Sequence, residues 1–334
     1  MPIPFIIAGA AAIAGAYGAK KSYDAYQDHD TAKTYNKLAV EIFDAAQYEL
    51  NQKREQTNNE LEELAKVKIS LYQNEFKSFV KYYEAIKNID FKDNLERYSG
   101  LNDFATEDLL EIEKNILNFS ELTGGTIAAM GSGALAGVGA FGGAGMFAAA
   151  STGTAISSLS GVAATNATLA WFGGGSLATG GLGMAGGTAI LGGIVAGPVL
   201  AVAGGMLAAK AEKAKFEAYA NYDRAEADVE NMKTAQVAVS GIYERTIEFS
   251  NIITELYPYF KIYIKKLASI VSQEVDYSKY SYDAKKVVAE CASIAQTIKN
   301  ICDTSIIDES GEITLLSKRV VHKSNDFIKK LNEI

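Results

Sequence analysis

The sequence predicts an all-α protein, in which long amphipathic helices form a bundle or coiled-coil-like stalk around a Gly/Ala-rich hydrophobic hairpin. Three observations lead to this prediction. Residues Ser22 to Ile89 contain neither proline nor glycine, apolar residues recur at a spacing of three to four, and strand signals are sparse. The charge is also segregated, because all 40 acidic and 32 basic residues lie outside an 88-residue window, Leu122 to Ala209. We expect the protein to be oligomeric.

The first predicted region, residues 1–21, is an apolar N-terminal segment. Residues Ile3 to Ala19 are apolar, and the basic residues Lys20 and Lys21 follow this stretch instead of preceding it. A secretory signal peptide has its basic residues before the apolar core. We therefore expect the segment to be retained and to associate with the membrane or pack against other helices.

The second predicted region, residues 22–121, is a long helical region. Six apolar residues at helical spacing indicate one stripe that packs against another helix: Ile69, Tyr72, Phe76, Phe79, Tyr83 and Ile86. A break follows at residues 99–103, and a short helix is predicted over Glu107 to Asn118. Asp103 or Thr106 would be its N-cap.

The last predicted region, residues 210–334, is a second charged helical region. The pattern predicts a helix from Leu207 to Tyr257, and Pro258 is expected to kink or end it because proline has no amide hydrogen to donate. Further helices are predicted over Tyr280 to Cys302 and Leu316 to Leu331. The acids, serine and glycine in Asp303–Glu312 indicate a surface loop.

Between these regions lies the uncharged window of residues 122–209, which contains 24 of the 30 glycines. Two G-x-G-x-x-G matches, at Gly137 to Gly142 and Gly181 to Gly186, suggest a phosphate loop. However, the window has no acid to hold a ribose and no lysine for a Walker motif. A flexible linker is excluded as well, since linkers avoid large apolar residues such as Trp171 and Phe172.

Membrane helices fit this window better, because small residues allow helix backbones to approach closely in lipid. The window accommodates spans over Thr126–Ala150 and Gly183–Ala209, with a shorter element over Ala155–Phe172. The residues expected to mediate packing at G-x-x-x-G spacing are Gly133, Gly137, Gly139, Gly143, Gly183, Gly187, Gly193 and Gly197, and Trp171 would lie at the membrane–water boundary.

Membrane insertion and burial within a soluble protein both stay open for this window. Gly and Ala are only weakly apolar, so membrane helices of this composition would either pack in an oligomer or switch between a sheltered soluble state and an inserted state. The other alternative is a hairpin buried within a soluble helical protein that never enters lipid.

The charge next to the window predicts its orientation. Three lysines follow it, Lys210, Lys213 and Lys215, and positive residues favour the cytoplasmic side of a membrane. The expected location is the bacterial inner membrane, with the helical flanks in the cytoplasm.

Composition also bounds the chemistry. The net charge of −8 argues against a generally basic nucleic-acid binder, although it leaves room for a local basic patch. Cys291 and Cys302 are eleven residues apart in a predicted helix, about 16 Å along its axis, which is too far for a disulfide. With only His29 and His322 and no catalytic constellation, we expect neither an enzyme, a metal site nor a cofactor.

The run ATNATLAWFGGGSLATGGLGMAGGTAILGGIVAGPVLAVAGGMLAAKAEKA, together with the opening GAYGAKKSYDAY, resembles bacterial glycine-zipper membrane proteins. Within that group it is similar to the transmembrane channel effector of the Hailong anti-phage defence system. The layout is also similar to α-helical pore-forming toxins and apolipoprotein-L-like proteins. The resemblance implies a channel-forming oligomer that disrupts membrane potential when released from inhibition by a DNA oligonucleotide, which a partner nucleotidyltransferase makes.

That resemblance implies an oligonucleotide site among the charged helices. Lysines beside Tyr259, Phe260 and Tyr263 would combine phosphate contacts with base stacking. The candidate residues are Lys265, Lys266, Lys285, Lys286, Lys318, Arg319 and Lys323. For each of them the alternative is a solvated helix face. For the whole chain, the alternative to a pore is a non-enzymatic, membrane-anchored helical scaffold.

Overall fold

The structure is a computed structural model, and it describes residues 17–89, 106–122, 132–140, 211–308 and 312–333. About 90% of these residues are helical, and they include no strand. The described residues contain two isolated β-bridges, Lys87 with Asp276 and Ile307 with Ile313. For this part of the chain, the predicted all-α class is confirmed.

The first helical region consists of three consecutive pieces. Helix α1 covers Tyr17–Leu71, a π-helical turn covers Tyr72–Phe76, and α2 covers Lys77–Tyr83. All six residues of the predicted stripe are buried. The helix ends before the predicted Ile89 because the backbone of Lys87 leaves the helix: its N–H donates to the Val275 oxygen at 2.7 Å, and its oxygen accepts from the Tyr277 N–H at 3.0 Å.

Two shorter helices follow. Helix α3 covers Thr106–Leu122, which includes and extends the predicted Glu107–Asn118. Thr106 is its first helical residue, whereas Asp103 lies outside the described residues. Helix α4 covers Ser132–Ala140, within the predicted span Thr126–Ala150.

Helix α5 covers Ala211–Gln273 and corrects the predicted helix end at Tyr257, because Pro258, expected to kink or end the helix, lies in its interior. Proline removes one backbone hydrogen bond, and this cost is offset when packing on both sides favours helix. Leu256 and Phe260, on either side of Pro258, are fully buried. Tertiary burial therefore continues the helix beyond its predicted end at Tyr257.

The C-terminal helices begin at side-chain caps. A 3-10 turn over Tyr277–Lys279 precedes α6, Tyr282–Asp303, and the Ser281 hydroxyl accepts from the Ala284 N–H at 3.2 Å. Helix α7, Leu315–Asn332, begins where the Thr314 hydroxyl accepts from the Ser317 N–H at 3.0 Å. These bounds agree with the predicted helices to within two residues, because capping is a local signal.

The chain divides into two compact units, and each contains part of α1 and part of α5. In the first unit, which includes α1 up to Glu49 and α5 up to Lys233, Ala32 packs with Ala214 and Ala218. Further along the same helices, the Asn221 amide donates to the Asn36 side-chain oxygen at 3.1 Å. The contacts advance together along both helices, so the two segments run parallel.

The second unit starts at Leu50 and resumes at Thr234, and it contains the main hydrophobic core. Here too the α1 and α5 segments are parallel: Thr57 contacts Val239, and Phe76 contacts Phe260 with ring centroids 5.4 Å apart. Since the two segments run in the same direction, they do not form an αα-hairpin, in which a short loop joins antiparallel helices.

Candidate functional site

Helix α4 is the described part of the uncharged window, and it packs into the core of the second unit. Leu135, Val138 and Ala140 are buried in the same cluster as Leu61 and Ile69 of α1. A nine-residue helix of small residues buries little apolar area by itself. Its position therefore depends on specific contacts with its neighbours.

The first of these contacts is a close approach at Gly139. A Cβ placed there would lie 2.7 Å from the carbonyl carbon of Leu61 and closer still to its oxygen, so only glycine fits against this backbone. A Cβ at Gly137 would meet nothing within 4 Å. Of these two glycines on α4, Gly139 is the one that the packing requires.

The second contact satisfies the C-terminal carbonyls of α4, which have no partner inside the helix. The Lys68 ammonium donates to the Gly139 oxygen at 3.2 Å, and the Ile306 N–H donates to the Ala140 oxygen at 2.7 Å. A cation at this position also interacts favourably with the negative end of the helix dipole. Two elements remote in sequence therefore cap α4.

Lys68 is a fully buried lysine. Its Nζ lies 5.8 Å from the centre of the Phe249 ring, close enough for a cation–π contact. Burial lowers the pKa of Lys68 to about 8, and the neighbouring Cys302 and Asp303 only partly oppose that shift. The site thus places a weakly basic amine at the end of the glycine helix.

A half-buried carboxylate, Asp303 at the end of α6, lies beside Lys68. Its carboxylate accepts from the Tyr72 hydroxyl at 2.7 Å and from the Asn115 amide at 3.3 Å. Burial raises the pKa of Asp303, and Lys299 opposes that shift. This network connects the π turn with α3 and α6 next to the docked helix.

Lys299 is a buried lysine in a different environment. Its ammonium lies 2.7 Å from a carboxylate oxygen of Glu111, 3.1 Å from Asp303 and 3.2 Å from Asp108. Burial alone would lower its pKa, but Glu111 and Asp303 raise the pKa overall. Lys299 therefore stays charged and holds α3 against α6, whereas Lys68 donates to a neutral backbone carbonyl oxygen.

Sequence analysis missed Lys68 and Lys299, although a signal for both was present. Lys68 stands at helical spacing after the buried Leu61, Leu64 and Ala65, and Lys299 stands at the same spacing after Ala292 and Ala295. A lysine in the apolar stripe of a helix indicates a buried charge that needs a partner. The partners themselves are too remote in sequence for the pattern to identify.

The predicted packing residues fall into two groups. Gly133, Gly137 and Gly139 lie on α4. The other candidates lie outside the described residues: Gly143, Trp171, Gly183, Gly187, Gly193 and Gly197. The predicted segments Gly183–Ala209 and Ala155–Phe172 lie outside them too.

The candidate oligonucleotide residues lie on three helices. Lys265 and Lys266 are exposed on α5, but Phe260 is fully buried and cannot stack on a base. The Lys266 ammonium lies 4.6 Å from the centre of the mostly buried Tyr263 ring.

The remaining candidates lie on α6 and α7. Lys285 lies over the Tyr277 ring at 5.2 Å, and Lys286 pairs with Glu290 at 3.7 Å. Lys318, Arg319 and Lys323 lie on the exposed face of α7.

The two cysteines are free, which agrees with their spacing, and the structure places both in the buried core. Burial raises the pKa of Cys302 to about 12 and that of Cys291 further, which leaves both as unreactive thiols at neutral pH. In the described part of the chain, no cluster of His, Cys, Asp and Glu side chains is arranged to hold a metal ion. Comparison with known protein families, curated proteins and solved structures finds no match to this chain.

Proposed function

We propose that this protein is a membrane pore or ion-channel effector whose uncharged window inserts into the bacterial inner membrane as a homo-oligomer. The observation that carries the proposal is the docking of α4. Part of a window without charge packs against the rest of the second unit through a few buried apolar side chains, one close glycine contact and two hydrogen bonds. Such an arrangement suits a sheltered state from which the window is released.

The contacts that α4 makes within the second unit suit both the sheltered state and the inserted state. Gly139 allows close backbone approach to Leu61 here, and the same property allows helices to pack against each other in lipid. The weakly basic Lys68 can leave the carbonyl of α4 at a smaller electrostatic cost than a lysine held by carboxylates. Among the described helices, none is both long and apolar enough to cross a membrane.

The proposed partners and location follow from the sequence. The lipid bilayer receives the window, and the charged helices stay in the cytoplasm because lysines flank the window. The resemblance to the Hailong effector adds a role in anti-phage defence, with a regulatory DNA oligonucleotide as the inhibitor. No cofactor is part of this proposal.

Expression in bacteria tests the proposal. The wild-type protein should collapse the membrane potential, measured with a voltage-sensitive dye. Gly193→Leu together with Gly197→Leu should abolish toxicity and leave the circular dichroism of the helices unchanged. The matched control is Ala227→Leu with Ala238→Leu, two exposed positions on α5 that should stay toxic. An unchanged membrane potential at full wild-type expression would exclude the pore.

The burial of α4 also favours a second candidate, a non-enzymatic helical scaffold in which the window only packs or anchors. A helix in the core of the second unit needs no bilayer to be stable. Reconstitution into planar bilayers separates the two functions, since only the pore predicts unitary currents. Cell fractionation in parallel reports whether the protein reaches the membrane at all.

A further inference from the structure

Helix α7 has one face that packs against the rest of the second unit and one that carries positive charge. The buried residues lie on one side: Ser317, Val321, Ser324, Ile328 and Leu331. The opposite side carries six basic side chains that are exposed to solvent: Lys318, Arg319, His322, Lys323, Lys329 and Lys330. With histidine neutral, five cations and one acid, Asp326, give α7 a net charge of +4 in a chain whose net charge is −8.

Most of this charge has no partner within the described part of the chain. Asp326 lies 3.4 Å from His322 and 3.9 Å from Lys329, so the single acid of the helix is already engaged. Lys318, Arg319 and Lys323 have no ion pair with any described residue. The helix is held in place beside α5, because the Tyr259 hydroxyl donates to the Asn332 side-chain oxygen at 2.8 Å.

Two exposed leucines stand at the start of the same helix. Leu315 is 72% exposed and Leu316 is 51% exposed, next to Lys318 and Arg319. Basic side chains beside exposed apolar ones are typical of helices that lie in the headgroup region of a bilayer. A single-stranded nucleic acid would instead favour aromatic side chains for base stacking. The one aromatic residue of α7, Phe327, packs against the core.

We propose that the exposed face of α7 is a docking surface for the anionic lipid headgroups of the cytoplasmic leaflet. The five cations bind lipid phosphates, and Leu315 and Leu316 enter the interface. The negative charge of the rest of the chain repels the same leaflet, which orients the protein with α7 towards it. This inference rests on the proposed function, because it gives a membrane-active protein its first contact with the bilayer.

Vesicle binding by the purified full-length protein tests the surface. Vesicles of phosphatidylcholine with about 30% phosphatidylglycerol should bind the protein, and pure phosphatidylcholine should bind it weakly. Lys318→Glu with Arg319→Glu and Lys323→Glu should weaken binding about 100-fold or more, since each cation near an anionic surface contributes about 1 kcal/mol, or about a factor of five. Leu315→Ser with Leu316→Ser should weaken vesicle binding less than the charge reversals do. These two changes should remove the binding that persists at high salt.

The matched control is Lys37→Glu with Lys53→Glu and Lys77→Glu, three exposed lysines on α1 and α2. Both triple variants have a net charge of −14, because three reversals add −6 to −8. If both lose affinity equally, only net charge matters and the α7 surface is refuted. Binding of a 20-nucleotide single-stranded DNA through α7, without vesicle binding, refutes it as well.

Release of an encapsulated dye from the same vesicles distinguishes a failure of the α7 docking surface from a failure of the proposed pore. If the wild-type protein binds through α7 and releases no dye, the docking surface stands and the pore fails. If the protein releases dye and the α7 variant binds as tightly as the control, the pore stands and the docking surface fails. Circular dichroism of each variant verifies that α7 remains folded.

Discussion

Helices α1 and α5 pack together in both units, but the two interfaces are built from different residues. In the first unit the contact consists of Ala32, Ala214 and Ala218, and the ring of Tyr35 meets Tyr219 edge-on at 4.5 Å. In the second unit Phe76, Phe79 and Phe260 are fully buried at the corresponding interface. Alanine lets helices approach closely but buries little apolar area, whereas each aromatic ring buries 150–250 Å².

This difference in contacts predicts that one pair of helices contains a stable section and a section that opens more easily. The aromatic interface is supported further by α3, α4 and α6, which contribute to the same core. The free energy of local opening follows the amount of buried apolar contact. We therefore expect the first unit to open at a lower free energy than the second.

Removing an aromatic ring from the second unit should have the largest effect. Phe260→Ala should lower the free energy of unfolding by about 3–5 kcal/mol, because it leaves a cavity in a close-packed core. Urea unfolding followed by circular dichroism measures this loss. Ile262→Ala, on the same helix and 51% exposed, is the control and should lose about 1 kcal/mol or less. Equal losses in the two variants would contradict the assignment of Phe260 to the core.

The buried amine of Lys68 should make the second unit more stable as pH rises. The folded protein releases this proton near pH 8 and the unfolded chain near the ordinary value of 10.5, so the unfolded state binds more protons between these values. Relative to Lys68→Met, the wild-type free energy of unfolding should rise by about 2–3 kcal/mol from pH 8 to pH 10.

Unfolding measured in urea at several pH values checks this difference. Lys53→Met, an exposed lysine on the same helix, is the control and should give no comparable rise relative to the wild type. A wild-type stability that tracks Lys68→Met at every pH would show that Lys68 is not buried as an ammonium.

The docking of α4 should be sensitive to one glycine and insensitive to its neighbour. Gly139→Ala should cost about 1–3 kcal/mol, because the new methyl group overlaps the backbone of Leu61. Gly137→Ala should be neutral or stabilise the helix by up to about 1 kcal/mol, since its side of the helix is open. Hydrogen exchange of the α4 amides reports the effect locally, and equal protection in both variants would argue against the Leu61 contact.

The smallest effect is expected in the first unit. Tyr35→Ala removes edge contacts to Tyr219 and Tyr222 and should cost about 1 kcal/mol. Hydrogen exchange should accelerate about fivefold over residues 213–233 and stay unchanged over residues 239–267. The control is Tyr48→Ala, at a side chain that is 67% exposed on the same helix, and it should leave the exchange rates of both ranges unchanged. Acceleration in both ranges would mean that the two interfaces open together.

Much of the helical content could be predicted because helical patterns and caps are local. The apolar stripe from Ile69 to Ile86 is buried as expected, and α7 ends within one residue of its prediction. The predicted helix end before Pro258 is wrong because it rested on a local preference that tertiary contacts outweigh. Proline disfavours helix locally, and only the burial of Leu256 and Phe260 in the core outweighs that preference.

The candidate site was predictable only in part. The uncharged window drew attention to the Gly/Ala segment, and Gly139 was among the glycines expected to mediate close packing. Its contact in the second unit is the backbone of Leu61, within the same chain. The parallel direction of α1 and α5 is not encoded in either helix alone, since the apolar stripe of a helix is compatible with both orientations of its partner.

The sequence by itself determined the all-α class, the extent of most helices and the separation of charge from the glycine-rich window. These features depend on residues within a few turns of one another. Only the tertiary structure decided that Lys68 caps Gly139, 71 residues away, and that Tyr72 donates to Asp303, 231 residues away. The physical reason is that a buried polar group is stable only beside its partner, and folding brings the two together.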